Sequence, residues 1–168
     1  MALQSLRMQI LPIRFLPIAA LVLGFVAPAF GQQAAKKPVY DESADARVEI
    51  TKTIAAAHKD GKRILVVFGA NWCGDCLALD ARFHEASIQP IVDANFHVVH
   101  VDIGRWDKNK DLAEKYLIPL GKGVPAVAVL EGDGTLLFSQ KSGEFEPAGR
   151  LGPEPIVAFL NRWRKTAR

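Results

Sequence analysis

Cys73 and Cys76 are the only two cysteines in a chain of 168 residues, and they stand two residues apart in Trp72-Cys73-Gly74-Asp75-Cys76. A thiol pair at this spacing closes into a disulfide only if the local backbone brings the sulfurs together. A helix that begins at the first cysteine does so. It also places that first thiol at the positive end of the helix, where a thiolate is stabilised. The chemistry this pattern offers is thiol–disulfide exchange. Two other readings stay open: a structural staple and a metal site. A staple across four residues would constrain the unfolded chain little.

The elements that must position the pair can be read from the flanking sequence. The apolar run Ile64-Leu65-Val66-Val67-Phe68 lies just before it. It lacks alternation, so Arg63–Phe68 is expected to be a strand buried on both faces. A helix is expected over Ser43–Lys59, with Ser43 as N-cap, Ile50, Ile54 and Ala57 at helical spacing, and Gly61 as its stop. Cys73–Glu85 reads as the helix carrying the pair, with Leu77, Leu79 and Phe83 as core candidates. Ile88–Ala94 reads as a short helix, Phe96–Val101 as a second strand and Lys108–Tyr116 as a further helix. Ala126–Leu130 and Thr135–Gln140 form a hairpin across Glu131-Gly132-Asp133-Gly134. Residues 141–152 are a loop. Pro153–Lys165 is a last helix with Ile156, Leu160 and Trp163 on one stripe. The first two strands, joined through a helix, should run parallel, and the hairpin must be antiparallel.

Two motifs give the chain a resemblance to the thioredoxin family. One is Phe68-Gly69-Ala70-Asn71-Trp72-Cys73-Gly74-Asp75-Cys76, and the other is Gly123-Val124-Pro125-Ala126 before the run Val127–Leu130. The resemblance covers roughly residues 44–165. It implies an α/β fold, a three-layer α/β/α sandwich with a mixed central sheet, and a cis-proline at Pro125 beside the disulfide. It implies a thiol-disulfide oxidoreductase, most similar to secreted bacterial thioredoxin-like proteins and to the carboxy-terminal domain of transmembrane thiol reductases. Some family features differ. Val67 stands where thioredoxins carry a buried aspartate, Gly74-Asp75 replaces Gly-Pro, Ala81 replaces a helix-kinking proline, and Phe96–Val101 contains no lysine. The family's proton-transfer group therefore has no counterpart at these positions.

On this reading Cys73 is the nucleophile and Cys76 the resolving thiol. Trp72 and the Val124-Pro125 segment form the substrate platform, with Val124 and Ala126 offering backbone groups to an extended peptide. Asn71 is expected to cap the helix or to bind substrate backbone. Asp75 is a modulating residue: a carboxylate near Cys73 opposes its thiolate and favours a reductant over a strong oxidant. Its plainer role is an acid in the first turn of a helix. No cofactor beyond the Cys73–Cys76 disulfide is expected. Expected partners are protein thiols and disulfides and a membrane thiol electron donor, with the chain acting as a monomer. The competing class is a non-catalytic binding module that uses the same groove to hold a protein or a metal.

The amino terminus sets the compartment. Residues 1–31 read as a signal peptide: Arg7 and Arg14 are its positive region, no acid precedes Asp41, and Phe15–Phe30 is apolar. Small residues Ala27, Ala29 and Gly31 offer cleavage after Ala29 or Gly31. The rival reading is an uncleaved inner-membrane anchor. Against it, the stretch falls short of about 20 residues and is interrupted by Pro17 and Pro28. Residues 32–42 read as a polar linker and 43–168 as the thioredoxin-like domain, in a periplasmic or secreted protein. Loss of Arg7 and Arg14 with the leader would bring the net charge from +3 to +1. With no basic stripe interleaved with aromatics, nucleic-acid binding is not expected. Of the four histidines, His97 and His100 should face opposite sides of their strand. The residue after Cys76 is Leu77 rather than histidine, which argues against haem attachment.

Overall fold

The computed structural model describes residues 37–165. The expected signal peptide at 1–31 lies outside them, as do residues 32–36 and 166–168.

Four strands form one mixed sheet in the order β2-β1-β3-β4. They are β1 (Arg63–Gly69), β2 (Phe96–Asp102), β3 (Ala126–Leu130) and β4 (Leu136–Ser139). β1 runs parallel to β2, in register from Arg63 opposite Phe96 to Gly69 opposite Asp102. β3 is antiparallel to β1, with Phe68 opposite Ala126. β4 closes the hairpin antiparallel to β3. Ile64 to Phe68 are each buried, as their unbroken apolar run requires of a central strand.

Among the described residues, five α-helices cover the sheet: α1 (Ala46–Asp60), α2 (Gly74–Phe83), α3 (Gln89–Asn95), α4 (Lys110–Lys115) and α5 (Pro153–Trp163). One core packs Ile64, Val66 and Phe68 with Ile50 and Ala57 of α1 and Leu112 and Ala113 of α4. The other packs Leu65 and Val67 with Leu79 and Phe83 of α2, Val92 of α3 and Ile156 and Leu160 of α5. Helices on both faces of a mixed sheet give the expected three layers. α5 presents Ile156 and Leu160 fully buried, with Trp163 half-buried against Phe138 at 5.1 Å.

Local chemistry moves several expected boundaries. Asp45, not Ser43, caps α1: its carboxylate accepts the N–H groups of Arg47 and Val48. Ser43 is instead held in a turn, where its N–H and Oγ both donate to Asp41 Oδ1 at 3.0 and 2.7 Å. Serine side chains compete in this way for turn conformations. Gly61 ends α1 as expected, with φ +76° and its N–H on Ala57 O. Leu77 is 37% exposed rather than in the core. Cys76, Leu79 and Phe83 occupy the inward stripe at helical spacing, which turns Leu77 outward. Tyr40, within the segment read as a polar linker, is fully buried.

Candidate active site

β1 delivers the chain at Gly69, four residues (Ala70 to Cys73) follow, and α2 starts at Gly74. Cys73 is the N-cap of α2 in extended conformation. Its Sγ accepts the Cys76 N–H at 3.2 Å, a bond that uses one of the orphan donors at a helix start. Cys73 and Cys76 are joined by a disulfide with a Cα–Cα distance of 5.2 Å, inside the ordinary span for such bonds. The two sulfurs differ in access: Cys73 is 8% exposed and Cys76 is 0% exposed.

The Val124-Pro125 peptide is cis. The Val124 carbonyl oxygen lies 3.6 Å from Cys73 Sγ. A disulfide sulfur carries no hydrogen, so this is a contact now, and it becomes a possible acceptor for the Cys73 thiol after reduction. Gln140, buried, fixes the segment from behind. Its Nε2 donates to Pro125 O at 3.3 Å and its Oε1 accepts the Val127 N–H at 3.2 Å. Pro125 O is thus already engaged, and Ala126 lies in the sheet opposite Phe68.

Trp72 stands 42% exposed beside the pair. Its Nε1 donates to Gly104 O at 2.7 Å, and its ring meets Trp106 at 5.7 Å. The Arg105 guanidinium sits 5.9 Å from the Trp72 ring, within cation–π range. Trp106 also borders a groove of about 660 Å³ with Ile118, Leu120, Gly123 and Glu146 among its walls. The groove therefore runs to the loop that carries Val124 and Pro125. Sequence reasoning missed Trp106 and Gln140. An aromatic in the loop after the carboxyl end of a parallel strand was the available signal for Trp106. Nothing in the sequence marked Gln140.

Asn71 does not cap α2. Its Oδ1 accepts the Tyr40 N–H at 3.0 Å and its Nδ2 donates to Tyr40 O at 2.7 Å and to Glu42 at 3.0 Å. The capping position belongs to Cys73, leaving Asn71 free to hold the segment before α1. Asp75 is half-buried, and its Oδ1 accepts the Gly149 N–H at 2.8 Å. Residues 141–152 thus fold back over α2, with Phe145 and Ala148 buried. The same loop approaches the cis-proline segment: Gly123, at φ +100°, leaves room for Glu146, and Gly143 lies close to Lys122 O.

The histidines diverge. His97 Nε2 lies 2.9 Å from Asp60 at the end of α1. His100 Nε2 lies 3.2 Å from Asp80 of α2. That approach is not a hydrogen bond. Among the described residues, no group of three or more His, Cys, Asp or Glu could hold a metal ion. Nor is any helix among them long and apolar enough to cross a membrane.

The thioredoxin-like family profile matches residues 46–132, from the start of α1 to the β3–β4 turn. No curated protein matches the chain. Among solved structures, a disulphide isomerase from Xylella fastidiosa Temecula1 is 37% identical, with a TM-score of 0.70, over 74% of this chain and 95% of that one. The DsbD carboxy-terminal domain of Neisseria meningitidis, in its reduced form, is 18% identical with a TM-score of 0.54. That match covers 72% of this chain and 98% of the other. At that identity the likeness speaks for the fold alone. The profile spans more than half of the chain and the Xylella protein is 37% identical over 74% of it; the chain, with a disulfide cysteine capping its helix beside a cis X-Pro peptide, belongs to the thioredoxin-like family.

Proposed function

We propose that this chain is a thiol-disulfide oxidoreductase of the cell envelope that reduces disulfides in periplasmic proteins. The observation that carries this reading is the asymmetry of the disulfide. Cys73 lies at the surface end of α2 with the Cys76 N–H on its sulfur, and Cys76 is sealed behind it. In the reduced form the Cys73 thiolate, stabilised by that N–H and the helix dipole, attacks a substrate disulfide. A mixed disulfide forms. Cys76 then attacks Cys73 Sγ and releases the substrate as a dithiol. Trp72 and the Val124-Pro125 segment flank the outer sulfur and form the platform. The envelope location rests on the signal peptide read at residues 1–31, with the protein periplasmic or secreted after cleavage. A membrane thiol donor would restore the dithiol.

The reducing direction rests on Asp75, an acid two residues after the nucleophile that opposes a thiolate there. A second reading, disulfide isomerisation, is favoured by the 37% identical Xylella protein described as a disulphide isomerase. Both use the same two sulfurs. The equilibrium of the Cys73–Cys76 pair in a graded glutathione buffer, read by mass after thiol trapping, separates them. A potential near about −270 mV supports the reductase, and one near about −180 mV or above supports isomerisation. A pair that neither opens nor closes across the range would refute both.

A further inference from the structure

Behind the inner sulfur lies a buried phenol hydroxyl without a partner. Tyr40 is 0% exposed, and its Oη makes no hydrogen bond. A polar group left unsatisfied in this way is destabilising. The ring is nevertheless firmly placed. Asn71 bonds both backbone groups of Tyr40, and His100 meets the ring edge-on at 5.1 Å. Gly69 shows what the hydroxyl faces. A methyl group on Gly69 would collide with Tyr40 Oη and stand 2.8 Å from Cys76 Sγ. The hydroxyl and the inner sulfur therefore border one small space, which only the missing Cβ of glycine leaves open.

In the oxidised state that sulfur is a disulfide atom and a weak acceptor. Reduction turns it into a thiol or thiolate, and hydrogen bonds to an ionised acceptor are roughly twice as strong as neutral ones. We propose that Tyr40 is the hydrogen-bond donor to the resolving sulfur: in the dithiol form its hydroxyl donates to Cys76 Sγ and stabilises the Cys76 thiolate. The inference rests on the proposed redox cycle and adds a residue to it.

The charged groups around the hydroxyl fix its role as a donor. Burial, then the carboxylates of Asp80 on α2 and Asp102 at the end of β2, hold the phenol far above its ordinary range. It stays protonated and takes no proton from Cys76. His100, on β2, touches the ring by its edge. In the resolving step Cys76 first loses its proton to solvent. The Cys76–Cys73 sulfur bond then forms as the Cys73–substrate bond breaks. The electron pair leaves on the substrate sulfur, which takes a proton from water.

The test compares the full chain with its Tyr40→Phe variant in graded glutathione. The variant pair should be about tenfold harder to reduce, which corresponds to about 30 mV. In a Cys73→Ser background, where Cys76 is the sole thiol, Tyr40→Phe should also raise the pKa of Cys76 by about one unit, read from alkylation rate against pH. If both quantities stay unchanged, Tyr40 is packing alone and the inference falls. If the wild-type pair does not cycle at all, the proposed function falls with it. Should Tyr40→Phe not fold, the unmodified protein carries the test. The chain has only two tyrosines, so 13Cζ-tyrosine labelling gives two signals, assigned with Tyr116→Phe. The Tyr40 signal should move on reduction, and a stationary signal overturns the inference.

Discussion

The two ends of one disulfide live in different surroundings. Cys73 sits among backbone groups: the helix start, the Cys76 N–H and the Val124 carbonyl. Cys76 sits in the core beside Gly69 of β1 and the space that the Tyr40 hydroxyl borders. Four residues of chain therefore span a polar rim and a closed core. The difference teaches how one bond gains direction. In the proposed cycle, attack from outside falls on the outer sulfur, while release of the substrate depends on the inner one.

The contrast can be broken most completely at the outer sulfur. Cys73→Ser should reduce disulfide exchange to the uncatalysed background in an insulin or dithionitrobenzoate assay; residual turnover would show that Cys76 attacks directly. Removing the inner sulfur should have a different effect. Cys76→Ser should still attack once and then stall as mixed disulfides, visible on a non-reducing gel of envelope extracts. Free turnover by this variant would contradict the division of labour.

Filling the space beneath the inner sulfur should act on stability first. Gly69→Ala places a methyl between Tyr40 Oη and Cys76 Sγ, and overpacking of this kind costs about 1–3 kcal/mol. Thermal melting should fall by several degrees; an unchanged melt would mean that the ring moves aside easily. A smaller change belongs at the rim. Asp75→Asn keeps an acceptor for the Gly149 N–H but removes the charge. Alkylation of Cys73 near neutral pH should quicken on the order of threefold, less than the tenfold of a full pKa unit. A slower reaction would remove Asp75 from the electrostatics of the thiolate.

The smallest effect serves as a control remote from both sulfurs. Glu131 pairs with Arg63 at 3.2 Å and Lys165 at 2.9 Å. Partial burial pushes its carboxyl up, but the bond from Lys165 and the charges of Arg63 and Lys165 outweigh it and hold it below 4.5. Because the folded-state value is depressed, this contribution is present above about 4.5 and is lost as pH falls through the folded value. Glu131→Gln should therefore be less stable than the parent near neutrality, and the gap should close in acid. Thiol reactivity should not change; if it does, the two regions are coupled.

Most of the fold was legible because its signals are local. The unbroken run Ile64–Phe68 marked a central strand, and Gly61 and the Gly-containing turn before Thr135 marked ends. The Cys-x-x-Cys pair identified itself by spacing. What escaped were contacts between distant parts of the chain. Tyr40 lies in a polar stretch, and only the three-dimensional fold puts it under Cys76. Asn71 looks like a cap by position, yet its amide matches the backbone of a residue 31 positions away. Gln140 reads as the polar end of a strand, although its amide supplies what the backbone around Pro125 lacks. Local pattern specifies elements; a side-chain amide spends its hydrogen bonds wherever the fold leaves a backbone group unpaired.

Residues 141–152 reach two neighbours of the sulfur pair: the Gly149 N–H donates to Asp75 of α2, and Glu146 lies against Gly123, just before the cis-proline segment. The sulfur pair follows a strand and opens a helix, whereas this neighbour is a loop, the kind of segment that accepts sequence change most readily. On the proposed function, sequence change in this loop would alter the surroundings of the sulfur pair without altering the pair itself. An engineer could vary the exposed positions of this loop in search of new clients, keep Phe145 and Ala148 as its anchors in the core, and leave the sulfur pair in place.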